Sequence, residues 1–148
     1  MLLISDHSRS SQSGFTLVEM MIVITIVGIL ASIATASYHA YIRKTQMMTI
    51  YQEINHFRIP YQILVNEGAG VTGFSPNGLN MPAQTENCQF TVIPPDVNAV
   101  TTDAVVCQIQ NLNYLTDQTL SLDLKTDGTW HCRASDDISK SYLPQDCQ

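Results

Sequence analysis

Residues 15–36 form a run of 22 residues with a single charge, Glu19. As a helix at ~1.5 Å per residue the run is about 33 Å long, and a bilayer core is roughly 30 Å thick. A helix that is apolar all round must be covered by lipid or by other helices. The acid is the anomaly. Left ionised in lipid it costs about 2.5–3.5 kcal/mol on insertion scales, so Glu19 needs a partner or a purpose.

The acid sits in a short, ordered motif: Gly14, Phe15, Thr16, Leu17, Val18 and Glu19, followed by the uncharged run. This stretch resembles the N-terminus of the type IV pilins. The resemblance implies a leader, residues 1–14, cut after Gly14 by a prepilin peptidase that then methylates the new amine of Phe15. It also implies that residues 15–43 anchor the chain in the inner membrane and later form the filament core, with residues 44–148 as a periplasmic or surface-exposed globular domain. Glu19 would pair with the free amine of Phe15 on an adjacent subunit. A buried ion pair adds little net stability, but a wrong register leaves a buried charge unpaired at several kcal/mol. Two departures from the family stand out. Gln12 and Ser13 occupy the place of the usual basic residue before the glycine, and Ala36 stands where a proline often follows Gly28 by eight residues. That glycine costs about 1 kcal/mol in a helix interior and reads equally as a close-packing position or as the start of a segment that unwinds in the filament.

The residues before the run support the same order of events. They are polar, with Asp6, His7, Arg9 and five serines, unlike a secretory signal in which the apolar stretch precedes the cleavage site. Charge does not set orientation, since Arg9 on one side faces Arg43 and Lys44 on the other. Tyr38 and Tyr41 suit a membrane interface, and Arg43 and Lys44 can reach headgroups from there.

Beyond the run, the apolar pattern becomes one-sided. Met47, Ile50, Ile54, Phe57, Tyr61 and Leu64 recur at spacings of three and four, the mark of a helix with one buried face. Pro60 should kink that helix near residues 56–60. Gly68, Gly70, Gly73, Pro76 and Gly78 then make a loop. Strand signals follow at residues 88–92, 104–109, 120–125 and 129–132, with Leu120, Leu122 and Leu124 on one face and a turn at Thr126, Asp127 and Gly128. The expected fold is α+β: a long N-terminal helix packed on a four-stranded antiparallel sheet. Cys88, Cys107, Cys132 and Cys147 all lie beyond the membrane-length run, which suggests two disulfides in an oxidising compartment. Three connectivities are open, and the sequential one is expected. A bridge from Cys132 to Cys147, after Trp130 and around Tyr142, Leu143 and Pro144, resembles the disulfide-closed C-terminal loop of type IVa pilins.

Catalysis has little to stand on. His39, His56 and His131 are scattered, and His131 beside Cys132 fits no zinc spacing. No enzyme, metal or cofactor is expected. The net charge of −6 argues against a general nucleic-acid binder. Only a cluster of Arg133, Lys140 and Lys125 could touch DNA phosphates. The expected function is a structural pilus subunit that polymerises with itself and other pilins, driven by an assembly platform and ATPase. Such fibres serve adhesion, twitching motility or natural transformation. The alternatives are a type II secretion pseudopilin, a minor pilin that primes assembly or DNA uptake, and an ordinary single-pass membrane protein. The last would retain residues 1–14 and offers no reason for Glu19.

Overall fold

The computed structural model describes residues 14–68, 73–96 and 100–148, so residues 1–13 of the expected leader and residues 69–72 of the glycine-rich loop lie outside the described residues. The chain divides into two compact units, Met1–His39 and Ala40–Gln148. One helix, α1 (Leu17–Asn55), runs through the division.

In the first unit, every described residue is exposed. The helix is long and apolar enough to cross a membrane. Its serine and threonine hydroxyls bond back within the helix: Thr25 donates to the Met21 carbonyl at 2.7 Å, Ser32 to Ile29 at 2.7 Å and Thr35 to Ala31 at 2.8 Å. Such back-bonding lets Ser and Thr sit in an apolar helix without an orphan donor. The helix stays α-helical through Gly28 and Ala36. Without a proline at 36, nothing removes the backbone donor there.

In the second unit, Met47, Ile50 and Ile54 of α1 are fully buried, as are Phe57 and Tyr61. Leu64, the last of the expected stripe, is only partly buried. The helix breaks at His56 and Phe57 and resumes as α2 (Arg58–Glu67), which places Pro60 in its first turn, where a proline is tolerated. Gly68 ends α2 with a left-handed φ of 66° and gives its N–H to the carbonyls of Leu64 and Val65.

The sheet has four antiparallel strands in chain order, β1 (Cys88–Val92), β2 (Thr101–Ile109), β3 (Thr119–Leu124) and β4 (Trp130–Ala134). One face closes the core: Phe90 packs on Phe57 as a tilted pair with ring centroids 4.6 Å apart, and Trp130 meets Tyr61 edge-on at 5.3 Å. The Tyr61 hydroxyl donates to the Ile93 carbonyl at 2.7 Å. Gly128 turns the β3–β4 hairpin with φ 82°, a conformation most side chains resist.

Two details depart from the sequence pattern. Strand β2 starts at Thr101, three residues earlier than the β-rich run, and carries a bulge between Thr101 and Val105. Ser121 and Asp123, which alternate with the leucines of β3 and should face solvent, are buried. The bulge and the buried Asp123 are joined by one contact. Asp103 sits in the bulge at φ 56°, and its amide donates to the Asp123 carboxylate at 2.7 Å. Arg133, beside them on β4, then lies over both acids.

Candidate functional site

The motif that the sequence singles out forms the start of α1. Gly14 and Phe15 precede the helix, and Phe15 is 73% exposed. Glu19 lies in the first turn. Its amide donates to the Thr16 hydroxyl at 3.2 Å, while the Thr16 amide and hydroxyl donate back to Glu19 Oε2 at 3.4 and 3.2 Å. This reciprocal arrangement is a capping box, which satisfies orphan donors of the first turn and places a negative charge at the positive end of the helix dipole. The Thr-x-x-Glu spacing signals it in the sequence, so Thr16 is a functional position that reading for charge alone passes over. A carboxylate has about four acceptor sites, so capping through one oxygen leaves the other free for a further cation.

Gly28 lies nine residues further along α1, and a Cβ built there would meet nothing within 4 Å. Its missing side chain therefore answers no crowding within this one chain. The apolar side chains around it, among them Ile24, Val27 and Leu30, are exposed.

At the far end of the chain, Cys132 on β4 is bonded to Cys147 in a 3-10 turn (Gln145–Cys147), closing the C-terminal loop. Cys88 and Cys107 are bonded across β1 and β2. All four sulfurs are buried and none is free to ligate a metal. Within the closed loop Ile138 and Leu143 are buried, and Gln148 ties the end back by donating to the Leu143 carbonyl at 3.0 Å.

The basic cluster expected at Arg133, Lys140 and Lys125 does not stand as a phosphate site. Arg133 donates to Asp103 at 2.7 Å and to Asp123 at 3.3 Å, so two acids occupy its guanidinium. The hydrogen bonds to Asp123, and the charges of both acids, hold the guanidinium pKa above its already high ordinary value. Lys140 and Lys125 are left on a chain of net charge −6.

Comparison with known proteins decides the family. The pilin (bacterial filament) family matches residues 44–148, more than two thirds of the chain. The chain belongs to the pilin family. The prokaryotic N-terminal methylation motif matches residues 9–35 of the same pilin, covering Gly14, Phe15, Glu19 and Gly28. With that motif ahead of the disulfide-bonded domain, it is a type IV pilin and a structural pilus subunit. It is similar to the type IV major fimbrial protein FimA of Dichelobacter nodosus, at 28% identity over 95% of this chain and 98% of the relative. A probable minor fimbrial protein of the same organism is 27% identical over 91% of this pilin and 94% of its own length. A fimbrial protein of Pseudomonas aeruginosa is 26% identical over 93% and 97%. Identity rises to 51% over a 45-residue stretch shared with fimbrial protein Q of Moraxella bovis, which is 30% of this pilin and 29% of that protein.

Proposed function

We infer that this pilin is made with a leader, residues 1–14, which a prepilin peptidase removes after Gly14 before methylating the amine of Phe15. Residues 15–43 then hold the chain in the inner membrane until the assembly platform and its ATPase move it into an extracellular fibre. Residues 44–148 form the outer part of that fibre. The observation that carries this reading is the pairing of an exposed, membrane-length apolar helix with an acid placed and capped in its first turn. Lipid satisfies the helix but not the acid. A filament satisfies both, because the helices of neighbouring subunits cover the apolar surface and the Phe15 amine of one subunit meets the free carboxylate oxygen of the next.

The pilus reading fits better than a secretion pseudopilin, because the pilin family match covers the whole disulfide-bonded domain. Adhesion and twitching motility are the roles that suit such a fibre. Direct DNA capture by this subunit has weaker support, because its one clustered arginine is spent on two acids. Intact-mass spectrometry of fibres sheared from cells tests the proposal. The expected species begins at N-methylated Phe15 and is lighter by four hydrogens for two disulfides. Abundance separates a major from a minor subunit. A membrane-bound chain that still carries residues 1–14 in cells with active peptidase overturns the reading.

A further inference from the structure

Arg43 lies seven residues beyond Ala36, about 10 Å further along α1 at ~1.5 Å per residue. It is exposed, and among the described residues it joins no salt bridge. Two tyrosines from remote parts of the chain flank it instead. The ring of Tyr114, from the β2–β3 connection, is centred 4.9 Å from the guanidinium carbon, and that of Tyr142, from the C-terminal loop, 5.8 Å away. Arg43 Nη1 donates to the Tyr142 hydroxyl at 3.3 Å, and the Tyr114 hydroxyl donates to Gln46 one turn along the helix. Tyr41 and Lys44, on the same stretch of α1, are exposed.

Apart from the Nη1 donor given to Tyr142, the Arg43 guanidinium keeps its in-plane N–H donors available for oxygen acceptors, and phosphate is the acceptor its planar fork suits best. Tyrosine rings settle at headgroup level, and basic residues there are drawn to anionic lipid. The headgroup layer extends roughly 5–8 Å beyond the hydrocarbon on each side. A long arginine side chain on a helix leaving that hydrocarbon spans the remaining distance. We propose that Tyr41, Arg43, Lys44, Tyr114 and Tyr142 form one surface for phospholipid headgroups. The β2–β3 connection and the C-terminal loop thus rest on the bilayer before assembly, rather than the helix alone meeting lipid. The proposal rests on the membrane-anchored stage described above.

The test uses the full mature chain in phosphatidylglycerol-containing bilayers, in a Trp130→Phe background, with one tryptophan introduced at a time. Ile24→Trp reports insertion through quenching by brominated acyl chains. Tyr114→Trp and Tyr142→Trp report contact through quenching by a headgroup nitroxide. Ile93→Trp is the reference, because Ile93 is held by Tyr61, about 27 Å further along the helical path than Arg43 at ~1.5 Å per residue. Both loop positions should be quenched about twofold more than the reference, and Arg43→Ala should remove most of that excess. Loop positions that match the reference while Ile24→Trp is quenched overturn this proposal and leave the anchored stage standing. An unquenched Ile24→Trp overturns the anchored stage itself.

Discussion

Asp123 shows how one buried acid can organise a sheet face. It accepts from the Asp103 amide in the β2 bulge and from Arg133 on β4, so a single carboxylate joins three strands. Asp123→Ala leaves the Asp103 amide without its acceptor while Arg133 keeps Asp103. The expected loss is about 1–3 kcal/mol, read as a lower urea midpoint with an unchanged slope; an unchanged midpoint contradicts the role. Tyr61 supports a second residue-scale expectation. Burial pushes its phenol up to about 12 from an ordinary 10, partly offset by a hydrogen bond with Thr101. A raised folded-state pKa means that the unfolded chain ionises first. Stability is therefore intact below about pH 10 and falls as pH rises toward 12. In Tyr61→Phe this alkaline fall should shrink, and absorbance at high pH should lose its latest-titrating phenol.

At the scale of elements, the C-terminal loop depends on its covalent closure. The bridge spans a sequence separation of 15. Losing a loop of that length costs about 3 kcal/mol in the chain-entropy account. The double variant Cys132→Ser with Cys147→Ser should unfold at correspondingly lower denaturant, and protease should cut first between the two positions. Much of this architecture was legible in the sequence. The three-and-four spacing from Met47 to Tyr61 marked the buried helix face, the leucines of β3 marked the sheet's inner face, and Pro60 marked the break between α1 and α2. The outer face of β3 was not legible. Alternation assigns Ser121 and Asp123 to solvent, because the pattern records polarity and not what a neighbouring strand lays across it. Arg133 is 10 residues from Asp123 and 30 from Asp103, so their union depends on a strand register and a bulge that no local spacing encodes. The same holds for Arg43, read from sequence as a headgroup contact of the helix alone, since Tyr114 and Tyr142 reach it only through the folded sheet. The capping box was the opposite case: Thr16 and Glu19 are three apart, and only attention to the acid's charge obscured its hydrogen bonds.

For the whole molecule, the two units need different surroundings. The second closes its own core with helix stripe, sheet and two disulfides. Every described residue of the first is exposed, and so it remains an incomplete structure until lipid or other copies cover it. Glu19 joins these two states in one residue. In a single chain it is satisfied locally by Thr16, a contact that depends on no other copy. The proposed filament contact uses the oxygen that capping leaves free, so both bonds can hold at once and Thr16 would fix the direction in which the carboxylate offers itself. Removing the acid and removing its positioning partner should therefore have different effects. Glu19→Ala should permit cleavage after Gly14 yet reduce fibre yield severely, because the Phe15 amine of the neighbouring subunit would be buried without a counter-charge, at several kcal/mol. Thr16→Val should lower yield less, since it loses the hydroxyl bonds and keeps the charge. Glu19→Gln separates charge from shape: if it assembles as well as Glu19 while Glu19→Ala does not, then volume rather than an ion pair governs the register. Fibre yield by shearing, normalised to processed subunit in the membrane, reads all three. Normal fibre number in Glu19→Ala would remove the acid from assembly altogether and leave the capping box as its whole purpose.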